Sequence, residues 1–130
     1  MFSHITLGIN DFEQAFSFYN AVLTPLGLKL RFCDRSVPWA AWQLAEADRP
    51  LLVITRPQNK QAATPGNGQM TAFLTSSRAL VDEIYKTAMA SGGECEGKPG
   101  LRPDYHANYY GAYFRDLEGN KLHVCCHNDE

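Results

Sequence analysis

Four histidines, six tyrosines and two tryptophans carry most of the chemistry open to this chain. His106 lies in the run Tyr105-His106-Ala107-Asn108-Tyr109. An imidazole titrates near neutral pH when unperturbed, so His106 is the first candidate for a general acid or base, and the Tyr109 phenol is its neighbour in that role. Tyr105, Tyr110 and Tyr113 complete an aromatic cluster. On a strand, Tyr109 and Tyr113 share one face with Gly111, while Tyr110 shares the other with Ala112 and Phe114. Tyrosine hydroxyls need partners when buried and suit a ligand cavity with polar tips; packing in the core or at the rim is the alternative for each ring. His123 shares a strand face with Cys125 and His127. At the other end of the chain, His4 and Thr6 share a face with Gly8, opposite Ile5, Leu7 and Ile9. Arg31, Arg35, Arg56 and Arg102 either hold an anionic substrate or sit in solvent.

The elements that must position these residues are legible from periodicity. The run His4 to Ile9 alternates as a strand and leads through Asn10-Asp11 into a helix, whose Phe12, Ala15, Phe16, Tyr19, Val22, Leu23 and Leu26 recur at helical spacing. Asn10 with Glu13 reads as a capping box, and Pro25 and Gly27 close the helix. If that helix covers the apolar face of the strand, His4 and Thr6 look into a cavity. Strands follow at Leu28 to Cys33, Pro38 to Leu44 and Pro50 to Arg56, the last an apolar run consistent with burial on both faces. Trp39 and Trp42 face opposite sides of their strand, one toward the helix layer and the other toward the cavity; Trp42 is counted with the cavity residues.

The same unit recurs at an offset of 66, which carries His4 to Met70, Leu7 to Phe73, Tyr19 to Tyr85 and Gly27 to Gly93. Such self-similarity implies one unit used twice around a shared space. Residues 59–68 form the boundary loop, and its Gly66-Asn67-Gly68 reads as a turn, not as a phosphate cradle. The second unit reads as a strand over Gln69 to Thr75, then a helix capped by Ser76 or Ser77 and ended by Gly92-Gly93. A short strand over Glu94 to Gly97 and a loop over Lys98 to Pro103 follow. Tyr109 to Arg115 and Lys121 to His127 are strands, joined by a hairpin at Asp116-Leu117-Glu118-Gly119-Asn120 in which Gly and Asn supply positive φ.

At 130 residues the chain is one domain, with repeats over about 1–58 and 69–128. Hydrophobic residues make up 45% and the net charge is −2 with both signs dispersed, which argues against a nucleic-acid or anionic-membrane partner. No apolar run approaches a membrane span and no export signal is visible, so a cytoplasmic location is expected. Cys33, Cys95, Cys125 and Cys126 form neither a C-x-x-C nor a regular framework and read as small thiols in a reducing compartment.

Two β-α-β-β-β units in this length resemble the vicinal oxygen chelate superfamily, which includes glyoxalase I, bleomycin-resistance proteins, fosfomycin-resistance enzymes and extradiol dioxygenases. The resemblance rests on His4 to Asp11, on Phe18-Tyr19, Leu23 and Leu26-Gly27 at the helix end, on Asp116 to Leu122, and on Asn108-Tyr109-Tyr110-Gly111-Ala112-Tyr113. It implies an α+β fold in which two curved mixed sheets form a cup, and a homodimer. It also implies a divalent metal (Zn, Ni, Fe or Mn) acting as a Lewis acid on a small oxygenated molecule. Carried over by position, the metal ligands are His4 and His123, while the second ligand position falls on Met70, a soft thioether that departs from the pattern. Thr6, Trp42, Met70, Tyr105, Tyr110 and Tyr113 become substrate-binding residues, with His106 and Tyr109 as catalytic groups. Two functions follow from the resemblance. One is a metal-dependent lyase, isomerase or dioxygenase. The other is a metal-free protein that sequesters a small molecule in an aromatic cup.

Overall fold

A computed structural model describes all 130 residues. The first repeat is β1 (His4–Gly8), α1 (Phe12–Leu23), β2 (Leu28–Asp34), β3 (Trp39–Leu44) and β4 (Leu51–Thr55). The second is β5 (Thr71–Leu74), α2 (Arg78–Ala90), β6 (Glu94–Leu101), β7 (Tyr110–Arg115) and β8 (Lys121–Cys126). Each makes a four-stranded sheet, in the orders β1-β4-β3-β2 and β5-β8-β7-β6. The first strand of each repeat runs parallel to the last, and the other pairings are antiparallel. The two repeats therefore share one topology, as the offset in the sequence implies.

Alternation decides what each strand face touches. Ile5 and Leu7 pack on a core containing Ile9, Phe12, Phe18, Tyr19, Trp42, Leu52, Ile54, Ile84, Phe114 and Val124, drawn from both repeats. Helices α1 and α2 pack against each other inside this core, each backing its own sheet. The opposite faces of β3 and β4 carry a second, smaller cluster of Ala41, Leu51 and Val53 with Phe32. The continuous apolar run of β4 is thus buried on both faces for two different reasons: Leu52 and Ile54 face the helices, Leu51 and Val53 the outer side.

Local signals place most boundaries. Asp11 caps α1, its carboxylate accepting from the Gln14 amide at 3.1 Å. The expected Asn10–Glu13 capping box does not form: the cap is Asp11, the Asn10 amide donates to Glu118 at 2.8 Å, and the Glu13 carboxylate pairs with Arg35 at 2.5 Å. Ser77 caps α2. Strand β6 runs on to Leu101, beyond the short strand expected. It is an edge strand with register shifts near Cys95/Gly97 and Gly97/Gly100, and an edge with bulges accommodates Pro99, which lacks a donor. In the β7–β8 turn only Gly119 adopts positive φ, at +91°.

Asn120 contributes to that turn through its side chain instead. Its Nδ2 donates to the Gly8 carbonyl at 3.0 Å and to Asp116 at 2.9 Å. Asp116 is buried and also accepts from the Tyr19 hydroxyl on α1 and from the amides of Glu118 and Asn120. Burial, followed by the Asp116 charge, raises the Tyr19 pKa well above the ordinary phenol value, so the ring remains a donor. Replacing Tyr19 with Phe leaves this buried carboxylate short of one donor. Denaturant unfolding is expected to show a loss of about 1–3 kcal/mol, and an unchanged midpoint would show that the bond does not join the two repeats energetically.

Candidate functional site

A groove of about 1070 Å³ lies on the outer face of the first sheet. Its floor is Phe32, Leu51 and Val53, and Trp39 stands beside Phe32 with ring centroids 5.0 Å apart at 57°. His4, Thr6 and Gly8 line it from β1, and Thr55, Arg56, Pro57, Gln58 and Lys60 line it from the end of β4 and the loop beyond. The size suits a small organic ligand. Alternation along β1, with its apolar face on the helix, is what aims His4 and Thr6 into it. The His4 ring lies with Nδ1 3.0 Å from the Ser3 hydroxyl, which leaves Nε2 free of protein partners.

The corresponding face of the second sheet is filled. Strand pairing equates Ala41 and Val53 of the first sheet with Tyr113 and His123 of the second: Ala41 pairs Val53 across β3 and β4, and Tyr113 pairs His123 across β7 and β8. Two large rings thus occupy the space that a methyl and an isopropyl group leave open in the first repeat. His123 is fully buried and stacked between Tyr113 (4.0 Å, 14°) and Tyr109 (5.7 Å, 12°). Gly111 gives it room, since a Cβ there would lie 2.5 Å from its Cε1.

Both nitrogens of His123 are engaged. Nδ1 lies 2.8 Å from the Ala112 carbonyl, which only accepts, so the hydrogen-bond network assigns the proton to Nδ1. Nε2 then accepts from the Tyr109 hydroxyl at 2.7 Å. Desolvation holds the His123 pKa below the ordinary imidazole value, with the nearby Arg102 charge acting in the same direction. Burial pushes the Tyr109 phenol up to about 12, so it serves as a proton donor to His123 and not as a base near neutral pH. Further out, the Asn108 amide donates to Nδ1 of His106, whose Nε2 lies 2.9 Å from Nδ1 of His127. His127 in turn sits 3.7 Å from the Cys125 thiol, as their shared strand face requires.

These positions sort the residues picked out from sequence. His4 and Thr6 line the groove. Trp42 does not: it is fully buried against α1, its Nε1 donating to Asn20 Oδ1 at 3.2 Å, and Trp39 is the ring that faces the groove. Tyr110 also points away, its hydroxyl donating to Asp82 on α2 at 2.6 Å. Met70 lines a separate cleft of about 570 Å³ between β1 and β5, into which Thr6 also reaches. Tyr105, His106, Tyr109 and Tyr113 gather around His123 and His127, and none of them lines the first-repeat groove. Phe32, Arg49 and Lys60 are not singled out by the sequence, which leaves Trp39 and Trp42 as alternatives and counts Trp42 with the cavity. Only the pairing of His4 with Leu51 and of β4 with β3 puts the Phe32 and Trp39 rings on the face of His4, and nothing in the sequence marks the two loop cations.

A divalent metal does not fit the donors within this chain. No group of three or more His, Cys, Asp or Glu side chains converges. His123 has neither nitrogen free, and Met70 belongs to a different cleft from the His4 groove. A catalytic zinc typically keeps three protein ligands.

The family profile described as Glyoxalase/Bleomycin resistance protein/Dioxygenase superfamily matches residues 1–124. Among solved structures, a glyoxalase/bleomycin resistance protein from Albidiferax ferrireducens T118 is 34% identical, covering 98% of this chain and 99% of that one, with a TM-score of 0.86. A glyoxalase-related enzyme from Fulvimarina pelagi shares the fold at 22% identity and TM-score 0.74, covering 97% and 87% of the two chains. A glyoxalase/bleomycin resistance protein/dioxygenase family enzyme from Burkholderia phytofirmans PsJN does so at 16% and 0.70, covering 97% and 98%. No curated protein matches the sequence.

The His123 arrangement makes two predictions. Folded His123 stays neutral at acidic pH values where the unfolded chain takes up a proton, so protons favour unfolding. Its contribution is complete above the unfolded value of about 6.5 and is lost as the pH falls below it. Thermal melts of His123→Gln should therefore show a shallower fall in midpoint from neutral pH to about pH 5 than the parent; an equally steep fall would place the titration elsewhere. Gly111→Ala should destabilise the fold by about 1–3 kcal/mol through overpacking and shift the ring resonances of His123 and Tyr109 in NMR spectra, whereas unchanged resonances would mean that the ring is not held as described.

Proposed function

The chain belongs to the glyoxalase/bleomycin resistance protein/dioxygenase superfamily, and from that premise we propose that it binds a small molecule in the groove of its first repeat without a metal held by its own side chains. The observation that carries the reading is the contrast between the two sheets. One outer face is an open groove with apolar rings on its floor and His4 and Thr6 at its wall. The other buries its histidine with both nitrogens occupied. Phe32 and Trp39 would cover the faces of a flat or apolar ligand, and His4, Thr6 and Thr55 would orient its polar groups. This is the chemistry of recognition and sequestration, the metal-free alternative among the functions known for this fold.

A metal-dependent lyase, isomerase or dioxygenase is the second reading, and the free Nε2 of His4 in the groove is what favours it. One imidazole falls short of the usual three protein ligands. Elemental analysis of protein purified without chelator separates the two readings. On the first, the protein carries no stoichiometric Zn, Ni, Fe or Mn, and adding these ions leaves the melting temperature unchanged. A bound metal would instead stabilise the fold by about 2.7 kcal/mol at a hundredfold excess over its Kd. A stoichiometric metal that disappears in His4→Ala would overturn the metal-free reading in favour of the enzyme.

A further inference from the structure

We propose that the first-repeat groove selects an organic anion with an aromatic or otherwise apolar body, its acid group held at the rim by Arg56 and Lys60, which follow the end of β4. The inference rests on that groove being the binding site and adds the class of ligand.

The charge around the groove is one-sided. Its lining includes His4, Arg49, Arg56 and Lys60 and no aspartate or glutamate, although the whole chain has 14 acidic residues against 12 Lys and Arg. None of these Lys and Arg side chains forms an ion pair, although Arg56 also borders the neighbouring cleft that holds Asp11 and Glu13. The ion pairs in the molecule are Arg35 with Glu13 and Arg115 with Glu96. The Arg49 guanidinium touches only the Asp48 carbonyl, at 2.9 Å. Guanidinium groups present forked donors that match a carboxylate or sulfonate, and an ammonium adds a point charge.

Lys60 supplies an independent sign. It is the one non-glycine residue with positive φ, at +64°, in a turn closed by its amide donating to the Pro57 carbonyl at 2.9 Å. A side chain in this left-handed region carries backbone strain that glycine would avoid. Lys60 lines the groove from this strained position, where glycine would fit without strain. The apolar half of the ligand is specified by what faces water: Trp39 is 40% exposed and Val37 53%, beside Phe32, Leu51 and Val53. A neutral apolar molecule would leave the cations unanswered, and a bare inorganic anion would leave the rings uncovered.

Two fluorescent probes with the same aromatic body test this. Anilinonaphthalene sulfonate carries an acid group, and phenylnaphthylamine lacks it. The sulfonate should bind the folded protein about tenfold more tightly at low salt, as expected of two exposed cations at one end of the groove, with the preference shrinking toward about 0.5 M salt. Lys60→Gly should weaken the sulfonate several-fold while leaving the melting temperature unchanged or higher, an outcome that a merely structural role for the lysine would not give. The double variant Arg56→Gln/Lys60→Gly should bind both probes alike. Equal affinity of the two probes for the parent, or a sulfonate preference that survives the double variant, overturns the anion inference and leaves the groove reading standing. If Trp39→Ala leaves the affinity of both probes unchanged, they do not occupy the groove, and the groove reading falls with the inference.

Discussion

The β7–β8 turn is the joint on which the two repeats depend. The Glu118 carboxylate accepts from the backbone amides of Asn10 and Asp11 at 2.8 and 3.0 Å and from Asn10 Nδ2 at 2.9 Å. It thereby ties a loop of the second repeat to the entry of the first helix. Asn10 in turn pairs with the Ala63 backbone at 2.7 and 3.1 Å, which fixes the linker as well. Asp116 and Asn120 complete the joint by reaching Tyr19 and the Gly8 carbonyl. The Tyr19–Asp116 bond is buried and the Glu118 bonds lie at the surface; a hydrogen bond to a charged group contributes about 1.5–3 kcal/mol when buried and less when exposed. The same joint fixes the end of β1, and with it the direction in which His4 and Thr6 point.

Given that joint, the two outer sheet faces have followed different courses on one backbone plan. Small and aliphatic side chains at Ala41 and Val53 leave the first face open. At the matching places in the second repeat, Tyr113 and His123 close it with stacked rings. A histidine in such a stack is held neutral by desolvation and has its nitrogens spoken for, so it behaves as a core residue with a polar edge. The open face retains an imidazole with one free nitrogen, exposed rings and unpaired cations. The asymmetry between the repeats, more than any one residue, locates the candidate site.

The likeness to the Albidiferax ferrireducens protein extends over nearly the whole of both chains. A family that includes both metal enzymes and binding proteins passes on its architecture without passing on one chemistry. Here Met70 places a soft thioether at one expected ligand position, and His123 at another is a buried ring with both nitrogens bonded. They leave the sheets and the core intact while altering what the outer faces can hold.

By itself the sequence determined the repeat, the order of elements, the two helical stripes and the parity of β1 that sends His4 and Thr6 away from the core. These follow from short-range periodicity, which the chain prints directly. The Asp116-Leu117-Glu118-Gly119-Asn120 turn was legible too, because Gly119 supplies its positive φ and Asp116 accepts from amides within the turn, whereas the reach of Glu118 and Asn120 to the first repeat was not. Which tryptophan meets the helix, and whether His123 is a free ligand or a buried, doubly bonded ring, were decided only by tertiary structure. Parity separates Trp39 from Trp42 without saying which side is which, and sheet register sets the neighbours of His123 across strands that are distant in sequence. The pairing of Ala41 with Val53, and of Tyr113 with His123, depends on long-range hydrogen bonding between strands. Pattern along one strand carries no record of it.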